Sequence, residues 1–478
     1  MSKLFLLSLF AEKFNMSLIK SISGIRGTIG GQPDDALTPL DIVKFAAAYA
    51  AWLIARQAGS GNKKVVIGRD GRISGPFVKD IVIRTLNMSG LDVVDVDLST
   101  TPTVEMAVVW ENAAGGIIIT ASHNPKEWNA LKLLNEKGEF LSAADGEALL
   151  ELVKQEAYQF VNVDKLGTYT QQKETIQKHI DAVLAYPLIK KETIAAKNFK
   201  VVVDGINSTG SIAIPQLLEA LGIAKENITV INSGITGNFA HNPEPLPENL
   251  RELRSEVNKQ KADLGIAVDP DVDRLCFVCE DGSMFGEEFT LVAVADYILS
   301  NKKGATVSNL SSTRALRDVT EKHGCQYFPS AVGEVNVVEK MKEVNAVIGG
   351  EGNGGVIVPD FHYGRDALIG VALFLSHLSS KRSVKQLRAE YPEYFISKNK
   401  IELSSSVDLS KIFEHIKDKY KKNEINTIDG LKIEFDKDWV HLRPSNTEPI
   451  IRIYAESNFE TTADNIAKRI MQDIKECM

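Results

Sequence analysis

Four short stretches of this 478-residue chain combine residue types in patterns that can do chemistry. The first, "GIIITASHNPKEWNALK" (116–132), ends an apolar run abruptly in Ser122, His123, Asn124 and Pro125. Pro125 disfavours helix at Asn124. The stretch is therefore either a turn whose Ser122 and Asn124 satisfy backbone groups, or a reactive serine held at the end of a buried strand. It lacks the G-x-S-x-G of a hydrolase nucleophile elbow. The second, "GIAVDPDVDRLCFV", alternates Asp269, Asp271 and Asp273 between two apolar runs. Three carboxylates this close repel one another and call for a cation, and an all-oxygen donor set suits Mg²⁺ or Ca²⁺. A solvated acidic turn is the competing reading. An EF-hand does not fit, because Arg274 stands where that loop needs glycine and the flanks read as strands.

The third stretch, "IGGEGNGGVIVPD", surrounds Glu351 and Asn353 with glycines that let backbone approach a ligand closely. It does not match the dinucleotide fingerprint G-x-G-x-x-G. Glu351 and Asn353 are placed either to bind sugar hydroxyls or in a plain flexible turn. The fourth, "HLRPSNTEPIIRIYAES", offers Arg443, Ser445, Asn446 and Thr447, a planar cation beside small donors. That set suits a phosphate group, or else forms a polar hairpin tip.

The segments around these loops say what must hold them. "KKVVIGRD", "LDVVDVDLS" and "GGIIITAS" read as strands separated by amphipathic helices, which predicts α/β layers with a largely parallel sheet. The same succession of charge, Val-rich strand, small-residue turn and helix recurs at "KNFKVVVDGINSTGS" and "KGATVSNLSSTRALRD". From about residue 397 the pattern changes to strand, helix, hairpin and final helix. The predicted fold class is α/β with four domains: three related α/β domains with mixed, mostly parallel sheets, a smaller C-terminal α+β domain, and an active-site cleft between them. The expected boundaries are 16–168, 169–283, 284–395 and 396–478. Residues 1–15 read as an extension or tail, because "MSLIKSISGIRG" from Met16 looks like a natural start. Their apolar run is too short for a convincing signal peptide.

The bulk numbers narrow the function classes. Hydrophobic content of 44% and charged content of 25% are ordinary for a globular protein. A net charge of −8 argues against a nucleic-acid partner. No stretch approaches the length of a membrane span. Four unevenly spaced cysteines fit a reducing compartment, and a cytoplasmic location is expected. Cys276 and Cys279 form a C-x-x-C, but on a predicted strand positions i and i+3 point to opposite faces.

Taken together, "TASHNP", "DPDVDR", "GEGNGG" and "RPSNTEP", in this order and one per domain, resemble the α-D-phosphohexomutase family, and the likeness runs from Met16 onward. "SGIRG" and "GRDGRISGP" resemble family segments too. The resemblance implies a mutase that moves phosphate between O6 and O1 of a hexose phosphate through a phosphoserine and a sugar 1,6-bisphosphate. Ser122 would carry the phosphoryl group. Asp269, Asp271 and Asp273 would bind one Mg²⁺, with a phosphoserine oxygen as a further ligand. Arg26, His123 and Arg274 would surround the phosphoryl group, and Lys132 falls where the family has a lysine proposed for proton transfer. Glu351 and Asn353 would hold sugar hydroxyls, and Arg443, Ser445, Asn446 and Thr447 the phosphate that is not reacting. The family usually has glycine at the position of Ala130. "GEGNGG", with no histidine at Gly355, resembles an archaeal-type or Bacteroidetes-type subgroup assigned to phosphoglucosamine or mannose substrates. Glucosamine 6-phosphate is the expected substrate, and mannose or glucose phosphate the alternative. A non-catalytic sugar-phosphate-binding protein and a phosphatase are the alternatives of a different class.

Overall fold

The computed structural model describes residues 17–21, 24–59, 61–403, 409–445 and 450–476. The stretch 1–15 and the site residues Asn446 and Thr447 lie outside the described residues. The chain divides into two compact units, one of residues 1–176 with 207–209 and 234–243, the other holding the remainder.

The first unit contains one mixed sheet. Its strands are β1 (Ile19–Ser21), β2 (Gly24–Thr28), β3 (Lys64–Arg69), β4 (Asp92–Leu98), β5 (Gly115–Ile119), β6 (Trp128–Leu134) and β7 (Tyr169–Gln171), in the spatial order β1-β2-β6-β5-β3-β4-β7. β3 pairs in parallel with β4 and β5, while β6 returns antiparallel to β5 and pairs with β2. Every residue of β5 is buried. An all-apolar run of this kind belongs to a strand covered on both faces. The helix Pro39–Arg56 covers one side; Thr38 caps it with Asp41 in a reciprocal box, and proline opens it where no N–H is needed. Its Phe45, Tyr49 and Leu53 join Val65, Ile67, Ile117 and Ile119 in one buried cluster.

The second unit holds three sheets. The first has β8 (Val201–Asp204), β9 (Ile228–Ile231), β10 (Leu264–Val268) and β11 (Leu275–Cys279), ordered β11-β10-β8-β9. The next has β12 (Thr306–Asn309), β13 (Tyr327–Ser330), β14 (Ile348–Glu351) and β15 (Gly355–Ile357), ordered β13-β12-β14-β15. Both repeat one plan: parallel inner strands, then an antiparallel hairpin at the edge. The last sheet is antiparallel throughout, with β16 (Phe395–Glu402), β17 (Glu424–Asn426), β18 (Leu431–Glu434), β19 (Trp439–Pro444) and β20 (Ile450–Ser457) ordered β16-β20-β19-β18-β17. The helices Leu409–Lys419 and Glu460–Lys475 bury Ile412, Ile416, Ile466 and Ile470 against it. Cys276 and Cys279 are buried free thiols on β11. Among the described residues, no helix is long and apolar enough to cross a membrane.

Candidate active site

The serine loop joins β5 to β6. Ser122 takes a left-handed φ of 48°, a region non-glycine residues visit rarely. Two side chains impose it. The Thr120 hydroxyl accepts from Ser122 N at 2.9 Å and donates to Asp70 Oδ2 at 2.7 Å. Arg72, fully buried with Asp70, donates to the carbonyls of Ser122 (2.5 Å), Asn124 (2.7 Å), Pro125 (2.7 Å) and Trp128 (2.9 Å) while its Nε holds Asp70 at 3.0 Å. One guanidinium thus satisfies four carbonyls of an irregular loop, which would be costly to bury unpaired. His123 Nδ1 stands 3.4 Å from Ser122 Oγ.

Arg26 and Lys132 come to the same part of this sheet. Arg26 on β2 is the register partner of Ala130 on β6, and Thr120 N donates to the Ala130 carbonyl. Lys132 is opposite Ile118, with its Nζ 5.7 Å from the centre of the Phe140 ring.

The aspartate loop joins β10 to β11. Asp269, Asp271 and Asp273 are all fully buried, and one ligand oxygen from each lies within 4.8 Å of the others. Asp269 Oδ1 accepts from the backbone N–H groups of Asp273 and Arg274, which folds the loop back on its first residue. Val272 turns it with a φ of 62°. Arg274 pairs with Glu244 at 3.0 Å. Three buried carboxylates converging in this way fit a small, hard divalent cation with oxygen ligands.

The glycine-rich loop joins β14 to β15. Glu351 accepts from Asn309 Nδ2 (2.8 Å), Gly333 N (3.1 Å) and Arg365 Nη1 (2.9 Å). Asn353 donates to Glu351 at 3.4 Å and accepts from Gly355 N. Gly354 has a φ of 87°, and a Cβ there would stand 2.2 Å from the Leu275 carbonyl. Only glycine lets this loop rest on the start of β11, where Leu275 N donates to the Gly354 carbonyl. Beneath the loop, burial pushes the Glu288 carboxyl up to about 8, and neighbouring Glu287 adds to this against the pull of Lys398.

The last loop joins β19 to β20. Arg443, paired across the strands with Arg452, is held through Nε by Asp429 at 2.8 Å. Asp429 also accepts from Val332 N. Ser445 N donates to the Ile450 carbonyl and closes the described part of the hairpin.

Two residues central to these loops carried no role in the sequence. Arg72 lies in "GRDGRISGP" and Arg365 in "HYGRDAL". Each works across about 50 to 90 positions of chain, and neither belongs to a periodic or clustered pattern.

Family comparisons match this arrangement over most of the chain. The models for phosphoglucomutase/phosphomannomutase alpha/beta/alpha domains I, II and III match residues 18–160, 177–282 and 287–394, and that for the C-terminal domain matches 402–473. A phosphoglucomutase/phosphomannomutase of Thermococcus kodakarensis is 36% identical over 91% of this chain and 95% of its own. A phosphoglucosamine/phosphogalactosamine mutase of Sulfurisphaera tokodaii is 30% identical over 96% of this chain and 100% of its own. The crystal structure of a phosphoglucomutase/phosphomannomutase family protein from Burkholderia thailandensis superposes with a TM-score of 0.81 at 25% identity, covering 96% of this chain and 98% of that one. The chain belongs to the phosphoglucomutase/phosphomannomutase family. It is a phosphohexomutase, an isomerase that transfers phosphate within its substrate.

Proposed function

We propose that the enzyme converts glucosamine 6-phosphate to glucosamine 1-phosphate, with Ser122 as the residue that carries the phosphoryl group. The observation that carries this mechanism is the buried triad Asp269, Asp271 and Asp273 in a chain whose serine loop is pinned from outside. The triad fits Mg²⁺, which when bound offsets the negative charge of the phosphoryl group in transit. A phosphoserine carries about −1.5 to −2 charges at neutral pH, so Arg26, His123 and Arg274 serve as its cationic and hydrogen-bonding surroundings. In the first half-reaction the free hydroxyl oxygen of the sugar phosphate bonds to phosphorus as the Ser122 Oγ–P bond breaks. Lys132 takes the hydroxyl proton, and the departing Ser122 oxygen takes it up in turn. The resulting sugar 1,6-bisphosphate then gives its other phosphoryl group to Ser122 Oγ, whose proton passes to the sugar oxygen as that O–P bond breaks. Glu351 and Asn353 hold sugar hydroxyls, while Arg443, Ser445, Asn446 and Thr447 hold the phosphate at rest. Transfer of this kind needs mainly in-line positioning. A cytoplasmic location follows from this reading, since hexose phosphates are intracellular metabolites.

The name of the Thermococcus kodakarensis relative favours a second reading, in which mannose or glucose phosphate is the substrate. One assay separates the possibilities. The protein is incubated with Mg²⁺, glucose 1,6-bisphosphate as activator, and glucosamine, mannose or glucose 6-phosphate in turn, with products followed by phosphorus NMR. Fastest formation of glucosamine 1-phosphate is expected. A faster rate with mannose or glucose phosphate transfers the assignment to that sugar. Free phosphate as the main product would make the protein a phosphatase, and no product from any sugar would leave only a binding protein.

A further inference from the structure

Arg365 stands in none of the four motifs, yet two of the functional loops meet on it. It is 8% exposed and reaches three carboxylates from three elements. Nη2 donates to Asp273 Oδ2 at 2.7 Å, Nη1 donates to Glu351 Oε2 at 2.9 Å, and Nε lies 3.1 Å from Glu334 Oε2. Its backbone N–H donates to Glu334 Oε1 at 2.9 Å. The planar fork presents its donors at fixed angles. A displacement of Asp273 relative to Glu351 therefore breaks or bends a charge-assisted bond at one end.

The surrounding backbone favours transmission between the loops. Leu275 N donates to the Gly354 carbonyl at 3.1 Å, and Ala367 N to the Val272 carbonyl at 3.3 Å. The first bond joins the two loops, the second ties the aspartate loop to the helix Ala367–Leu378 just after Arg365, and Arg365 joins the carboxylates that the loops present. Its side chain reaches them by crossing Gly355: a Cβ there would stand 2.3 Å from Arg365 Cδ and 3.0 Å from Cγ. The glycine at the end of "GEGNGG" is thus the passage for this arginine.

We propose that Arg365 is a positioning residue that couples the aspartate loop to the glycine-rich loop. Through it, divalent-cation binding at Asp269, Asp271 and Asp273 and hexose phosphate binding at Glu351 favour each other. Glycine is required at 355 to let the guanidinium through. The inference rests on the roles given above to the triad and to Glu351. Coupling of this kind is reciprocal, so it can be read from the metal side alone.

The test measures Mg²⁺ binding to full-length protein with Ser122 dephosphorylated, so that turnover does not interfere. Mg²⁺ is titrated by calorimetry with and without saturating glucosamine 6-phosphate, and again with mannose 6-phosphate. The proteins are wild type, Arg365→Lys, Arg365→Met and Gly355→Ala. In wild type the better sugar phosphate is expected to tighten Mg²⁺ binding by about fivefold or more. In all three variants the ratio of the two dissociation constants is expected to fall below about twofold, because lysine offers one point donor and the added methyl displaces the fork. A merely structural role would lower the melting temperature and leave that ratio where it was. A wild-type ratio retained in folded Arg365→Lys or Gly355→Ala overturns the proposal. If Arg365→Met does not fold, those two variants decide. Mg²⁺ binding by wild type that neither sugar phosphate alters refutes the coupling while the metal assignment stands. A wild type that binds no Mg²⁺ instead removes the metal assignment itself.

Discussion

Replacement of Arg72 tests whether the serine loop is shaped from outside itself. In Arg72→Met the four carbonyls lose this donor, and the Asp70 carboxylate loses its guanidinium partner while keeping the Thr120 hydroxyl and the residue-72 backbone N–H. Stranding one partner of a buried pair costs about 3–5 kcal/mol, a large part of the roughly 5–15 kcal/mol that holds a domain folded. That variant is expected to be severely destabilised, so the informative change is Arg72→Lys. Lysine keeps a positive charge beside Asp70, but its single nitrogen does not span Asp70 and four carbonyls. Two or three charge-assisted bonds are lost, each worth about 1.5–3 kcal/mol. The left-handed backbone at Ser122 costs roughly 1–2 kcal/mol relative to an ordinary conformation. Once the clamp is weakened by more than this, the loop relaxes and Ser122 Oγ moves off line. A displacement of about 1 Å at a reacting group costs on the order of a hundredfold in rate. Folded Arg72→Lys should therefore show kcat lower by about that factor with KM little changed, because Glu351 and Arg443 are untouched. The assay is steady-state turnover at matched phosphoserine content, determined by intact mass. A folded Arg72→Lys enzyme with kcat near the wild-type value would refute the reasoning.

Ser122→Ala is expected to lose essentially all mutase activity and the phosphate seen by intact mass, while melting like wild type; phosphate retained on the variant would move the catalytic assignment elsewhere. Asp271→Asn should weaken Mg²⁺ binding at least about tenfold, and a chelator should stop wild-type turnover until Mg²⁺ is returned; full activity in chelator would remove the metal from the mechanism. His441 gives a pH prediction: its Nε2–H donates to the Asp429 carbonyl at 2.6 Å, its Nδ1 is 2.9 Å from the Ser311 hydroxyl, and the ring is buried. Burial, with Lys432 and Arg443 nearby, pushes this histidine down to about 4 against an ordinary value of 6.5. Its stabilisation is thus complete above pH 6.5 and is lost as pH falls towards 4, by about 3 kcal/mol in all. The fall in melting temperature over that range should be smaller in His441→Gln, and equal falls would exclude the histidine as the cause.

Much of the candidate site is legible in the sequence because residue chemistry and loop position coincide locally. Asp269, Asp271 and Asp273 lie within one loop, so their mutual repulsion is visible in the letters alone. Ser122 stands next to a run of apolar residues that only a covered strand explains. Cys276 and Cys279 lie on β11, the strand that the sequence pattern predicts. Arg72 and Arg365 were not legible in this way. A buried arginine and an exposed one look the same in sequence, and the partners of each are set by sheet order and loop packing. Gly355 illustrates the same limit. The letters show only a missing side chain, whereas the structure shows an arginine passing through the space.

The fold also explains why chemistry gathers where it does. Ser122, the aspartate triad and the glycine-rich loop each occupy the turn between an inner strand and the antiparallel strand that follows it, at β5–β6, β10–β11 and β14–β15. Strands β5, β10 and β14 are buried along their whole length, so the sheet fixes where each turn begins. A short turn leaving such a strand has few backbone partners of its own, and its tip would otherwise be the least determined part of the domain. Arg72 supplies the missing partners to the first turn, and Arg365 ties the second to the third. At the first turn a rigid, permanently charged fork substitutes for a hydrogen-bond ladder, and between the second and third such a fork bridges carboxylates. That is why a lysine at either position, although it conserves charge, should fail at the task.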